Sequence, residues 1–174
     1  MALTVTVGCS LTAAENTIPS IPESVKRAID AGVASLKLSD GTGDNAATKI
    51  WPWRQTLAAS SVNFDLTALP LPNVAGLGTG SPLLALGKVK GYLIYNESTT
   101  DGAILYFGNA AANPWSAWGD TPAARIKVMP GPPLIHLNVL SQASNPWTVD
   151  ATHKNVLIEA VGTTITFTIV FFGV

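Results

Sequence analysis

The sequence predicts an all-β fold, either a β-sandwich or a barrel. Short segments in which apolar and polar residues alternate recur at intervals of roughly 8–12 residues or a little more, as strands of such folds do. Clusters of Gly, Pro, Asp and Asn separate these segments and supply the turns. The segments include no strong amphipathic helix and no internal repeat, which argues against helical folds, propellers and solenoids. The pattern predicts about nine or ten strands.

The segment from Thr163 to Val174 is the strongest strand prediction, because it carries no charge and is rich in β-branched and aromatic residues. A period of two places large apolar residues on one face, which predicts a core contact. The opposite face ends in Val170 and Phe172, and we expect it to contact a loop or another subunit. The two alternating sets are Ile165, Phe167, Ile169 and Phe171 against Thr164, Thr166, Thr168, Val170 and Phe172.

Two short connections predict β-hairpins. Segment 155–161 runs into Gly162 and Thr163, so we expect it to pair with the last strand. Segment 88–96 is followed by a turn-rich connection, so we expect it to pair with segment 103–108.

Alternation also predicts which residues of the other strands face the core. Pro52 lacks a backbone donor, so its strand is expected at a sheet edge or at a bulge. In segment 88–96 the core face is expected to alternate around Gly91. The predicted core residues are Trp51, Trp53 and Leu57 in the first strand, Val62, Phe64 and Leu66 in the next, and Val89, Leu93 and Tyr95 in the third.

Residues 1–35 are interpreted as an N-terminal arm or first strand, packed on the chain or exchanged with a neighbour, and residues 36–174 as the β-sandwich domain. Ser20 and Glu23 match a capping box, which predicts a short helix near 21–31. The same segment also alternates as an extended chain would, so helix and strand both stay open there.

Composition excludes several kinds of partner. Charged residues make up 12% of the chain and the net charge is −1. Charged residues supply about 25% of an average soluble domain, so more of this surface than usual is neutral, which suits a protein packed against others. We expect neither nucleic acid nor a membrane as a partner, because there is no electrostatic attraction for them. The single cysteine, Cys9, excludes an internal disulfide framework, and the start lacks a signal-peptide pattern.

The chain is short of convergent titratable groups, so we expect no enzymatic activity, metal or cofactor. The two histidines, His136 and His153, belong to no catalytic or metal-binding motif. Asp40 and Asp44 lie in a glycine-rich segment without the ligand spacing of an EF-hand, which favours a turn over a calcium site. The GLGTG stretch at 76–80 lacks the lysine and serine of a phosphate-binding loop.

Three tryptophans lie in predicted loops, namely Trp115, Trp118 and Trp147. An exposed indole could stack on a sugar ring or anchor a protein contact. Alternatively, these rings pack over the ends of the sandwich. Few polar groups lie near them in the sequence, so packing or subunit contact is favoured over sugar binding. Together with Val170 and Phe172 they are the candidate contact residues.

Several stretches together resemble a family of small virion proteins of tailed phages and prophages. The similarity lies in a DGTG loop, a strand that begins near QTLAAS, a strand of the type VKGYLI, a loop ending in NPW, a turn built on PG and a final strand ending in IVFFG. It covers the chain from about Leu36 to the end, in the order and spacing of the family. Two departures are GNAAANPW in place of a glycine-richer loop and MPGPP in place of a PGG turn.

The resemblance implies a jelly-roll-like antiparallel β-sandwich with long loops, in a non-enzymatic structural protein of the virion. It implies a capsid decoration or cement protein that binds the major capsid protein, stabilises the capsid lattice and forms a homotrimer. Such a protein is made in the cytoplasm of the host bacterium and comes to lie on the capsid surface. The alternative is a tail-fibre module that binds a receptor or glycan through Trp115, Trp118 and Trp147. No catalytic residues are implied.

Overall fold

The computed structural model describes residues 5–8, 35–40, 46–70, 83–115, 117, 121, 124–137 and 147–174. Every named element of secondary structure in these ranges is a β-strand, so the all-β prediction is confirmed. The helix predicted near 21–31 lies outside the described residues, as do Cys9, Asp44 and the segment 76–80. Among the described residues, no helix has the length and apolar character needed to span a membrane. The strands are β1 (Val5–Gly8), β2 (Ser35–Asp40), β3 (Ala46–Ala47), β4 (Lys49–Ala58), β5 (Ser61–Asp65), β6 (Leu69–Pro70), β7 (Leu83–Leu84), β8 (Val89–Asn96), β9 (Ile104–Asn109), β10 (Arg125–Val128), β11 (Leu134–Leu137), β12 (Asn155–Val161) and β13 (Thr164–Gly173).

Eight strands form two four-stranded antiparallel sheets in a sandwich-like arrangement. The β13 sheet has the order β11-β8-β13-β4, and the β12 sheet has the order β10-β9-β12-β5. β13 pairs with β4 from Thr164 opposite Ala58 to Gly173 opposite Lys49. The last apolar segment is therefore central in its sheet, and β4 forms the edge, as Pro52 predicts.

Each short connection among these eight strands joins one sheet to the other. β4 leads into β5, β8 into β9, β10 into β11 and β12 into β13, and the two members of each pair belong to different sheets. The two predicted hairpins are therefore wrong: 88–96 does not pair with 103–108, and 155–161 does not pair with the last strand. Alternation reports only which face of a strand is apolar. Two strands joined by a connection between the sheets both direct their apolar faces toward the same core. Their sequence pattern therefore looks like that of a hairpin.

The inward faces of the two sheets share one core. The four residues predicted for the core face of β13 are all 0% exposed. The core residues predicted for β4 and β5 are confirmed too, since all are buried except Trp53 and Val62, which are half-buried against the rest. Aromatic rings fill the centre, with the ring of Tyr92 centred 4.9 Å from that of Phe107 and 6.3 Å from that of Phe171.

The core face predicted for β8 is wrong after its first residue. Val89 is buried as expected, but Tyr92 and Ile94 are the next residues to point inward, and both are 0% exposed. Leu93 is only half-buried and Tyr95 is exposed, so these two lie on the outer face.

A bulge explains this reversal. Phe172 lies opposite Gly91, but the next residue of β13, Gly173, lies opposite Val89. Lys90 is therefore an extra residue in β8. An inserted residue shifts the alternation by one position, which a strict period of two cannot anticipate.

The first strand pairs within the chain. β1 is antiparallel to β2, from Val5 opposite Leu38 to Gly8 opposite Ser35, and β2 is parallel to β3. The pairing therefore joins residues on both sides of the boundary predicted between the arm and the sandwich. β6 and β7 form a further short antiparallel pair.

Candidate contact surface on the outer face of the β13 sheet

The residues of the β13 sheet that point away from the core form rows across the strands, because directly opposite residues of antiparallel strands share a face. Val170 lies opposite Pro52 on one side and opposite Leu93 on the other. Leu93 in turn lies opposite Ile135 of β11. These four residues form one apolar row across all four strands.

A second apolar row lies beside the first, where Phe172 is opposite Ile50 and Gly91. Ile50 is 43% exposed, whereas Phe172 is 5% exposed. Pro52 is also exposed. The remaining members of the first row are half-buried. We call the following five side chains the apolar patch: Ile50, Pro52, Leu93, Ile135 and Val170.

The rows that lie beyond the row of Val170, toward Thr164, are polar. Arg54 of β4 reaches Glu97, at the end of β8, with Nε donating to both carboxylate oxygens at 3.0 Å and Nη2 donating to Oε2 at 2.6 Å. The hydroxyl of Thr168, on β13 between them, donates to Oε1 of Glu97 at 2.5 Å. In the next row the hydroxyl oxygens of Thr56 and Thr166 lie 2.8 Å apart. We call these five residues the polar end of the face.

The contacts at the polar end keep its two charges paired. Hydrogen bonds, first from Arg54 and then from Thr168, lower the pKa of the Glu97 carboxyl below its ordinary value. The same contact raises the pKa of Arg54. Between the row of Val170 and the row of Thr164 the sheet carries no other charge on this face. The patch and the polar end together are therefore neutral.

The outer face of the β12 sheet is different. Arg125 of β10 pairs with Glu159 of β12, and its guanidinium carbon lies 5.4 Å from the centre of the Tyr106 ring. At the other end of the face, Nζ of Lys154 donates to Oδ2 of Asp65 at 2.6 Å. Charged groups therefore lie at both ends of this face, where they remain in contact with water.

Trp115 and Trp147, predicted as ligand or subunit contacts, are 0% and 4% exposed, so that role is wrong for the folded chain. Their rings are 5.3 Å apart, and both lie against Tyr92. Asn113 adopts a φ of 48° just before Trp115 and turns the chain onto the core. The alternative in which these rings pack over the sandwich matches the structure. Trp118 lies outside the described residues.

Val170 and Phe172 are both predicted to contact a loop or another subunit, and the structure treats them differently. The ring of Phe172 is covered within the single chain, so it offers little surface to a subunit. Val170 stays half-buried at the centre of the apolar patch. Of the five predicted contact residues, Val170 is thus the one that the described structure leaves available.

Titratable groups gather in one small turn. Oδ1 of Asp150 accepts hydrogen bonds from the backbone N–H groups of Thr152 and His153, at 2.7 and 2.8 Å, and Nδ1 of His153 lies 3.1 Å away. Hydrogen bonds from His153, and then from Thr152, hold the pKa of Asp150 far below its ordinary value. His136 instead contacts Tyr92, with Nδ1 3.3 Å from the phenol oxygen. Among the described residues no three His, Cys, Asp or Glu side chains are grouped so as to hold a metal ion.

Sequence reasoning missed most of the apolar patch. Ile50 and Pro52 stand at the outward positions of β4, which the alternation of Trp51 and Trp53 indicates. Leu93 could not be placed, because the bulge reverses the face of β8. The row itself depends on strand pairing, which no local pattern encodes.

A groove of about 380 Å³ lies at the turn between β10 and β11, within segment 126–134. It is open and lined mainly by Pro and aliphatic side chains, with Met129 41% exposed beside it. Lys127 is the charged residue in its lining. The groove therefore offers apolar contact but no constellation for chemistry.

Comparison of the chain with protein-family models, with curated proteins and with solved structures found no match. The interpretation of the outer face of the β13 sheet therefore depends on its geometry alone. It carries an apolar patch beside a neutral polar end, whereas the outer face of the β12 sheet carries ion pairs at both ends.

Proposed function

We propose that this chain is a non-enzymatic structural protein of a virion, a decoration or cement protein that binds the major capsid protein and stabilises the capsid lattice. The observation that carries the proposal is the neutral, partly apolar outer face of the β13 sheet. The cores of protein interfaces are more apolar than the rest of the surface and depleted in Lys, Asp and Glu, with Tyr and Arg enriched. This face has that character, and the resemblance of the sequence to phage virion proteins supplies the biological setting.

The strand order supports a jelly roll as the finer description of the sandwich. Across one sheet the order is β4, β13, β8 and β11, and across the other it is β5, β12, β9 and β10. The four crossing connections therefore stack side by side. Eight strands wound in this way make a jelly roll, an architecture used in viral capsid proteins and in lectins. The fold alone does not decide between such uses.

The buried tryptophans favour capsid decoration over sugar binding by a tail fibre. A sugar-binding site needs an accessible aromatic face together with convergent polar groups. The rings of Trp115 and Trp147 are inside the core, which removes two of the three residues on which the tail-fibre alternative depends.

Mass spectrometry of purified particles tests the proposal. We expect the chain to be present in many copies per particle and to stay bound through a density gradient. Particles made without the chain should lose their contents at a lower temperature, because a cement protein adds contacts between capsid subunits. Adding the purified chain back should restore heat resistance. Particles that never contain the chain would overturn the proposal.

A further inference from the structure

We infer that the outer face of the β13 sheet binds the same face of a second copy of this chain, about a two-fold axis that runs along β13. The inference rests on the proposed function in one respect, which is that this face is an assembly contact. It goes further by naming the occupant and the symmetry, and it leaves contact with the capsid protein to the remaining surface of the dimer.

The arrangement of rows selects the axis. A two-fold axis parallel to β13 places β13 of one copy over β13 of the other and β4 over β8. Each row then meets the same row, with Val170 over Val170 and Pro52 over Leu93 of the second copy, while β11 and Ile135 lie beyond the overlap. A two-fold axis across the strands through the middle of the face would place the patch over the polar end and would bury Thr56 and Thr166 against hydrocarbon, which is unfavourable.

The ion pair is complementary to its own image about that axis. Arg54 and Glu97 lie on opposite sides of β13, so the pair is a dipole directed across the strand. Rotation about β13 reverses this dipole and brings Arg54 of one copy over Glu97 of the other. The four charges then alternate in sign, which is favourable at an interface. Arg54 is 68% exposed and Tyr95, opposite Thr168 in the same row, is 37% exposed, so both are accessible for this contact.

The size of the face suits a reversible dimer. About this axis three strands of each copy overlap, β8, β13 and β4, which span about 15 Å with their side chains, and the rows from Thr164 to Phe172 extend about 27 Å along the strands. The resulting area of about 400 Å² per copy is about half of the roughly 800 Å² of a standard interface, so a weak dimer is expected. Facing sheets that lie within about 30° of alignment pack well, and a two-fold axis along β13 keeps the strands of the two copies aligned.

Analytical ultracentrifugation of the full chain tests the inference with two matched substitutions. Leu93 and Leu157 are both half-buried leucines on the outer faces of central strands, one in each sheet. We expect a monomer–dimer equilibrium in the wild type, and a dissociation constant raised about tenfold or more by Leu93→Asp but little changed by Leu157→Asp. Circular dichroism shows whether both variants fold.

Three results of that experiment would overturn the inference. One is a monomer at every concentration up to about 1 mM, which corresponds to negligible affinity. Another is a trimer, the state that the resemblance implies, because a two-fold contact closes with two copies. The third is equal weakening by Leu93→Asp and Leu157→Asp, which would place the contact elsewhere.

Charge reversal tests the alternating charges. Arg54→Glu and Glu97→Arg each break the pair within the chain and place like charges across the axis, so each variant alone should dimerise less than the wild type. Mixed together, the two variants form a heterodimer in which every charge again faces its opposite. We expect native mass spectrometry of the mixture to show mainly heterodimers. A statistical mixture, or none, would contradict the proposed axis.

Failure of the inference and failure of the proposed function give different results. A monomer in solution that is still a component of purified particles would leave the virion role intact and make the capsid the occupant of this face. A dimer with the expected response to Leu93→Asp, in a chain that particles never contain, would remove the virion role and leave the two-fold contact.

Discussion

The two outer faces of this sandwich cover the same core with opposite chemistry. The outer face of the β12 sheet carries ion pairs, Arg125 with Glu159 and Asp65 with Lys154, in contact with water. The outer face of the β13 sheet carries the apolar patch and one ion pair laid across its central strand. Both sheets have four strands, so strand number does not explain the difference. The comparison shows that core packing leaves the outward positions free, so their chemistry can differ according to what each face contacts.

Loss of the core that both faces share should have the largest effect. Trp115 is fully buried against Tyr92, Trp147 and Phe171, so Trp115→Ala leaves a large cavity. We expect the free energy of unfolding to fall by about 3–5 kcal/mol, measured by urea denaturation. Unchanged stability would show that the ring is a surface contact after all.

A methyl group at Gly108 should have the next largest effect, because it presses two strands of the β12 sheet apart. A Cβ atom there would collide with the backbone of Ala124 and Arg125. We expect Gly108→Ala to destabilise the fold by about 1–3 kcal/mol in thermal or urea unfolding. Gly102→Asn is the control, since Gly102 has open space around it and Asn tolerates its φ of 75°. Equal stability of the two variants would contradict the close approach.

Acid should weaken both faces through one carboxylate on each. Burial raises the pKa of Asp65, but hydrogen bonds from Lys154 and Thr67 together lower it below its ordinary value. Hydrogen bonds lower the pKa of Glu97 as well. A carboxyl whose pKa is lowered by folding stabilises the fold above its unfolded pKa, and this contribution is lost as the pH falls through the folded pKa. We expect stability to fall between about pH 5 and pH 3.

Substitution separates the two carboxylates. Asp65→Asn should flatten the acid dependence and lower the stability at neutral pH by about 1 kcal/mol or less, because the pair with Lys154 is partly exposed. Glu97→Gln should flatten it further, and the acid dependence that both variants keep is expected from Asp150, whose pKa is also lowered in the fold. Unfolding curves measured at several pH values give the slopes. An acid slope unchanged in both variants would mean that other carboxyls cause it.

The ion pair at the β10 side of the charged face should have the smallest effect. Arg125 and Glu159 are more than a third exposed, and such pairs contribute little. We expect Glu159→Gln to change the free energy of unfolding by about 0.5 kcal/mol or less. A loss several times larger would mean that this face is covered by a partner, and the contrast between the faces would then fail.

Local patterns predicted the strands and most of their core faces, but not their partners. The alternation in β13 identified its four core residues correctly, because core contact imposes a period of two directly on the sequence. The pairing of β13 with β4 and β8 has no local signal, since it joins segments far apart in the chain. Leu93 was assigned to the core because the bulge in β8 is not visible in the alternation, and its place beside Ile135 follows only from the pairing. Trp115 and Trp147 show that a loop position does not imply exposure.

The central position of β13 has a consequence for biosynthesis. Thr56 and Thr166, joined by a hydrogen bond across β4 and β13, are 110 residues apart. While the ribosome is still making the later part of the chain, β4 and β8 have emerged but the strand that lies between them has not. The β13 sheet therefore closes only after β13 is synthesised, and such long-range pairing is slow. Until then the nascent chain exposes unpaired strand edges, a state in which aggregation competes with folding.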